Sequence, residues 1–242
     1  MRKLFRNRDL IMIATAFTTD ALVDFVNASL ESRKRASPLP LIFGPTKPSL
    51  LSRSANRLIK TGDLERVEKD GIPYLRLTGS GKSAFHRDFP LFKFQNKKWD
   101  GGWIVISYDI PEKRRLTREY LRNKLQSLGF GLWQESVYIS PHDFGEEVRD
   151  WVESNDLAGL VSVSKSKELA KDEKMLAWKV FNLENLEERY LKIIETINAS
   201  PKKVVTEKIR NEYLLALSCD PLLPKELLPN DWAGLKLSTL IL

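Results

Sequence analysis

The sequence predicts an α+β fold in three parts, on three observations. Amphipathic helices run into a hairpin within residues 1–90, a strand-rich stretch fills residues 91–170, and helical stripes continue over 171–242. A chain of 242 residues has room for two or three modules of ordinary size. With 42% hydrophobic and 29% charged residues it has the composition of a folded protein, not a disordered one.

The basic start and the apolar run Leu10 to Phe17 read as a helix and not as an export signal, because the run is short, follows Asp9 and lacks a small-residue cleavage pattern. Arg8 to Ala16 is the first expected helix. Thr19 to Ser29 is the second, with Thr18 or Thr19 as N-cap ahead of Ala21, Leu22, Phe25 and Val26. The Pro-rich connector SPLPLIFGPTKPS leads to a third helix, Ser49 to Lys60. Leu51, Ala55, Leu58 and Ile59 recur there at i, i+4, i+7 and i+8, a core-facing stripe.

The opposite face carries Ser49, Ser52, Arg53, Asn56, Arg57 and Lys60. Arginine can fork onto guanine and asparagine onto adenine, while serine and lysine reach the phosphate backbone. Leu64 to Glu68 and Ile72 to Leu77 then alternate as strands around the turn Lys69, Asp70, Gly71. Three helices followed by a hairpin is the order of a winged helix-turn-helix. The hairpin resembles that superfamily's wing in closing with Leu77, Thr78, Gly79 and Gly81, and Arg66, Lys69 and Arg76 on it are placed to touch phosphates beside the groove.

Charge points the same way. The net charge is +7, and residues 1–90 hold 16 Lys and Arg against 9 Asp and Glu, whereas residues 91–242 hold 23 of each sign. The whole excess therefore sits where a polyanion should dock.

In the middle, Trp103 to Ile110 is a continuous apolar strand ended by Pro111. Leu116, Tyr120, Leu121, Leu125 and Leu128 mark a helix face that stops at Gly129, suited to a left-handed C-terminal turn. Strands follow at Leu132 to Gln134 and Val137 to Ser140. Asp143 with Glu146 is the pattern of a capping box for a helix through Trp151, and Leu160 to Ser164 alternates as a last strand. The order βαββαβ is that of a ferredoxin-like fold.

In the last part, Asp172 to Val180, Leu183 to Ala199 and Thr206 to Leu217 are predicted helices. Leu186, Tyr190, Ile193, Ile194 and Ile197 line the second, and Leu214, Leu215 and Leu217 extend the apolar side of the third. The apolar tail LKLSTLIL is expected to be docked, on the same chain or on a second subunit.

Several function classes have no support. The single cysteine, Cys219, allows no intramolecular disulfide, so a cytoplasmic location is the default expectation. No stretch approaches the roughly 20 apolar residues of a membrane span. His86 is expected at a helix end and His142 in a Ser-Pro-His-Asp turn; with one distant cysteine they do not have the spacing of a structural zinc site. No phosphate-binding glycine loop or nucleophile elbow is present, so neither an enzyme nor a cofactor is expected.

The distinctive residues resemble those of the PaaX family of transcriptional repressors. The matching pieces are Trp99-Asp100-Gly101, Tyr108-Asp109-Ile110-Pro111, Leu128-Gly129-Phe130-Gly131 and Val137-Tyr138-Ile139-Ser140-Pro141-His142. Nearer the end, Asp220-Pro221 to Leu223-Pro224 and Leu227-Leu228-Pro229-Asn230-Asp231-Trp232 also look like that family. The resemblance implies a winged helix over 1–90, a middle domain over 91–170 similar to the small CRISPR-associated endonuclease, and a helical domain over 171–242. It further implies a homodimer that occupies a double-stranded operator and is released by an acyl-coenzyme A thioester. The cationic ridge Arg114, Arg118 and Arg122 on the first middle-domain helix offers phosphate partners for such an effector. The nuclease likeness also opens an alternative, in which Asp109 holds a divalent ion across a dimer interface for hydrolysis; the simpler expectation is that Asp109 caps the helix after Pro111.

Overall fold

The computed structural model of the chain describes residues 7–18, 21–22, 48–69, 72–94, 97–200 and 206–241. The fold is α+β. Two compact units divide it, one drawn from the spans Met1–Phe89, Glu187–Cys219 and Trp232–Leu242, the other from Pro90–Leu186 and Asp220–Asp231.

The first unit begins with α1 (Asn7–Thr18), β1 (Ala21–Leu22), α2 (Pro48–Lys60), β2 (Leu64–Lys69), β3 (Ile72–Leu77) and α3 (Gly79–Asp88). The strands form an antiparallel sheet in the order β1-β3-β2, with Arg66 opposite Leu75 and Leu64 opposite Leu77. Ile11, Met12 and Ile13 of α1, Ala55 and Leu58 of α2, Leu64, Leu75 and Leu77 of the hairpin and Phe85 of α3 are buried. The predicted stripe of the third helix is therefore its core face; the side chain of Leu51 lies outside the described residues.

One predicted element is corrected. Ala21 and Leu22 form strand β1 on the free edge of β3, Ala21 opposite Leu75 and Leu22 opposite Tyr74, where a helix from Thr19 was expected. The local capping signal loses to the unpaired N–H and C=O groups that an edge strand presents. The remainder of that expected helix and the Pro-rich connector lie outside the described residues.

The end of α2 is fastened to the return of the hairpin by backbone chemistry. Gly62 takes φ +76°, a left-handed turn that L side chains resist. Thr78 caps α3, its hydroxyl accepting the Gly81 N–H at 3.0 Å while donating to the Gly62 carbonyl. Ser80 donates to the same carbonyl at 2.8 Å, and the Thr78 N–H to the Asp63 carbonyl at 3.1 Å. The Leu-Thr-Gly-x-Gly closure of the hairpin is this clasp.

The second unit contains β4 (Gly102–Tyr108), α4 (Arg115–Ser127), β5 (Gly131–Gln134), β6 (Val137–Ser140), α5 (Gly145–Ser154), β7 (Val161–Lys167) and α6 (Glu173–Val180). The sheet is antiparallel throughout in the order β5-β6-β4-β7, the βαββαβ arrangement that the sequence predicts. Ile104, Ile106, Tyr108 and Tyr138 of the sheet share one core with Leu121 and Leu125 of α4 and Val148 and Val152 of α5. On the other side of β4, Trp103 is fully buried, stacks on Phe181 at 6.5 Å and donates from Nε1 to Glu173 Oε2 at 2.8 Å. That second side is covered only where the strand begins: Val105 is half-buried and Ser107 and Asp109 are exposed, so the apolar run predicted over Trp103 to Ile110 gives way to alternation in its second half.

Two details of this domain differ from expectation. Leu116 and Tyr120 are 78% and 70% exposed, while Leu121, Leu125 and Leu128 are buried. A helix turns about 100° per residue, so Tyr120 and Leu116 sit roughly 100° and 140° away from Leu121 and cannot share its face. The capping box at Asp143 and Glu146 is not formed either: Phe144 occupies the N-cap without a side-chain bond, and the Asp143 carboxylate accepts from Lys165 at 3.1 Å. Gly129 follows α4 at φ +78°, as its helix-stop reading requires.

The remaining helices are α7 (Leu183–Ala199), α8 (Glu207–Cys219) and α9 (Ala233–Ile241). Tyr190 of α7, Tyr213 of α8 and Trp232 before α9 are buried together, with Tyr190 6.4 Å from Tyr213 and 6.0 Å edge-on to Trp232. Leu214 and Leu217 are buried, but Leu215 is half exposed, one helical step off their face. Within the tail, Ala233 and Leu237 are buried, which docks it, while Leu235 and Leu240 remain partly exposed. No helix among the described residues is long and apolar enough to cross a membrane.

Candidate nucleic-acid interface

Burial of Ala55 and Leu58 orients α2, and the same rotation leaves Arg53, Asn56, Arg57 and Lys60 exposed on its other side. Four of the predicted contact residues thus share one outward face. Ser49 and Ser52 belong to the same helix and Lys69 ends β2, but their side chains lie outside the described residues.

The hairpin contributes unequally to this face. Arg66 stands opposite Leu75, on the side of the hairpin that meets α2, and its guanidinium donates to Asn56 Oδ1 at 3.1 Å. Arg76 stands opposite Glu65, one residue out of phase, so its side chain leaves the other side of the hairpin and is half-buried. Arg66 is accordingly tied to the helix face. Sequence periodicity places Arg66 on a strand, but only the register across the hairpin reveals that it reaches the helix.

The cationic ridge on α4 is largely engaged. Arg118 donates to Glu112 Oε2 at 2.5 Å, and Arg122 reaches Glu119 at 3.6 Å and the Tyr138 hydroxyl at 3.3 Å. Below it, burial pushes the Tyr108 phenol above its ordinary range, with the Tyr138 hydroxyl adding to the effect.

Asp109 is exposed at the end of β4, its N–H donating to the Leu160 carbonyl at 2.9 Å. It does not cap the next helix: Pro111 heads the short turn Glu112–Arg114 and Arg114 heads α4, neither with a side-chain capping bond. Among the described residues, no three His, Cys, Asp or Glu side chains are grouped closely enough to hold a metal ion.

The motifs that carry the family resemblance do structural work at one end of the sheet. Asp100 Oδ1 accepts the Gly102 N–H at 2.8 Å across Gly101, which takes φ +77°, and Trp99 Nε1 donates to the Gly102 carbonyl at 2.9 Å. Lys165 bridges Asp100 at 2.7 Å and Asp143 at 3.1 Å. These bonds hold the Asp100 carboxyl below the usual carboxylate range and the Lys165 ammonium above the usual lysine range. His142 is buried, with Nε2 3.0 Å from the Pro221 carbonyl and its ring 4.9 Å from that of Phe94. Phe94, Trp99, Pro141, His142, Lys165 and Pro224 line a cavity of about 160 Å³. Three motifs far apart in sequence thus converge on one pocket, a convergence that no sequence signal announces.

The comparisons with known proteins agree with this architecture. The chain is similar over 94% of its length to 92% of the uncharacterized protein Rv0674 from Mycobacterium tuberculosis, with a TM-score of 0.52 and 22% identity, a likeness of fold. No curated protein matches it. Residues 96–177 match the model of the PaaX protein central Cas2-like domain. That span holds the four central motifs on which the resemblance rests, while those at 220–224 and 227–232 lie beyond it, and the middle of this chain is similar to the PaaX central domain.

Proposed function

We propose that the protein is a sequence-specific transcriptional regulator that binds double-stranded DNA through a winged helix over residues 1–90. The observation that carries this reading is the exposed face of α2, where Arg53, Asn56, Arg57 and Lys60 stand together opposite a buried stripe. That face lies in the part of the chain that holds all the net positive charge. The family likeness of the middle domain supports a regulator over an enzyme.

In this reading α2 enters the major groove, with Ser49 and Ser52 near its leading end and Lys69 and Arg76 serving as flanking phosphate contacts. The domain over 91–170 and the helices over 171–242 make the dimer, since two reading helices related by a twofold axis select a palindrome far better than one. Occupancy of the operator represses, and an acyl-coenzyme A thioester releases the protein, its phosphates drawn to Arg114, Arg118 and Arg122. Arg118 and Arg122 would then exchange Glu112 and Glu119 for phosphate oxygens.

The test is the affinity of Arg53→Ala and Arg57→Ala for the DNA upstream of the protein's own gene. Each loss of a base-reading arginine should cost about 1–3 kcal/mol and relax discrimination at one position. Normal binding by both variants removes α2 from the interface.

A further inference from the structure

Of the exposed residues Arg53, Asn56, Arg57 and Lys60, only Asn56 carries a side-chain hydrogen-bond acceptor, and Arg66 takes one of its two lone pairs. Which amide atom faces Arg66 is fixed by chemistry: a guanidinium has only donors, so the atom 3.1 Å away must be the oxygen. The Asn56 amide nitrogen is left to offer its two donors outward.

We infer that Arg66 is a specificity-determining positioning residue: by holding the Asn56 oxygen it turns Asn56 from a reader of adenine into a donor that favours guanine or thymine. This rests on the DNA-binding reading above. The usual asparagine–adenine fork needs the amide oxygen to take a proton from adenine N6 while the nitrogen gives one to N7. With one lone pair of the oxygen taken and the guanidinium standing beside it, the N6 amino group of adenine meets donors, as does the N4 amino group of cytosine, and adenine keeps N7 as its one acceptor. Guanine offers O6 and N7, and thymine O4, all acceptors. The remaining Arg66 N–H groups, beside the same amide, extend the donor surface.

Direction is supplied by the fold. The Arg66–Leu75 register puts Arg66 on the helix side of the hairpin, and the clasp of Thr78 and Ser80 onto the Gly62 carbonyl ties that hairpin to the end of α2. The pair is therefore held by two elements joined through backbone, not by a chance meeting of two long side chains. Arg66 acts on DNA reading through Asn56.

The experiment is selection of full-length protein on a randomised duplex pool, with wild type, Asn56→Ala, Arg66→Leu and Arg66→Lys, followed by affinities for single-base variants of the selected duplex. The position read by Asn56 is the one whose preference vanishes in Asn56→Ala. Wild type should take guanine or thymine there, about tenfold over adenine. Arg66→Leu should move that one position towards adenine, and Arg66→Lys, which still only donates, should restore the wild-type order. Melting of each variant near the wild-type temperature establishes that the fold is kept. Adenine at that position in wild type overturns the inference, as does Arg66→Leu weakening all duplexes alike with an unchanged base order, the behaviour of a plain phosphate contact. In both cases wild type still enriches a motif; a wild-type protein that enriches none overturns the DNA-binding reading itself.

Discussion

Replacing Gly81 by alanine reverses the sign that helix propensity alone assigns. Gly81 is in the first turn of α3, and a glycine-to-alanine change there should stabilise by up to about 1 kcal/mol. A Cβ at Gly81, however, would sit 2.8 Å from the Asp63 carbonyl carbon and 3.1 Å from its Cα, with the carbonyl oxygen nearer still. Ordinary carbon contacts need about 3.5–4.0 Å, so two backbone segments must part by roughly 0.7 Å or more. The same Asp63 carbonyl accepts the Thr78 N–H, and parting stretches that bond, worth about 0.5–1.5 kcal/mol. With an overpacking cost of about 1–3 kcal/mol set against the propensity gain, the net is a loss of about 1–3 kcal/mol. Gly79, two residues earlier in the same turn, has nothing within 4 Å of a Cβ and supplies the control. Denaturant unfolding should lower the midpoint for Gly81→Ala and leave it equal or higher for Gly79→Ala. If Gly81→Ala is as stable as Gly79→Ala, the clasp between α2 and the hairpin is wrong.

Other consequences concern the central domain and the ridge. Leu125→Ala should cost about 2–5 kcal/mol because Leu125 is fully buried, whereas Leu116→Ala, at 78% exposure, should fall within about 0.5 kcal/mol of wild type by the same unfolding assay. Asp100→Asn should be less stable than wild type by under about 1 kcal/mol, since the pair is largely exposed. That difference should persist only while both partners are charged. Asp100 has a lowered folded value, so its contribution is full above the ordinary carboxylate value of 3.8 and fades as pH falls through the folded one. Lys165 has a raised folded value, so its share is full below the ordinary 10.5 and fades as pH rises through the folded one. Arg118→Ala and Arg122→Ala should weaken release of DNA by an acyl-coenzyme A; unchanged release in both removes the ridge as the effector site.

Much of this architecture is legible because periodicity reports burial. The α2 stripe, the α7 face and the order of the central strands all follow from where apolar residues recur, and Gly129 and Asp172 mark boundaries through backbone conformation and capping. The misses have two causes. Ala21 and Leu22 are strand because β3 offers an open edge, and Asp143 turns to Lys165 instead of capping α5. Leu116, Tyr120 and Leu215 are apolar yet exposed. The first two outcomes depend on a partner distant in sequence, and the exposed side chains on helical phase, which sets them off the buried face. The candidate interface divides in the same way: the helix supplies Arg53, Asn56, Arg57 and Lys60 by its own period, but the Arg66–Asn56 bond needs the hairpin register.

Binding of DNA without cutting it is measured on the duplex upstream of the protein's own gene over a salt series, with and without Mg²⁺, following both mobility and fragment length. A DNA-binding regulator gives a discrete complex that weakens steeply as salt rises, with the DNA intact under every condition. Cleavage that requires Mg²⁺ and disappears in Asp109→Ala would contradict that reading and make the central domain the active part.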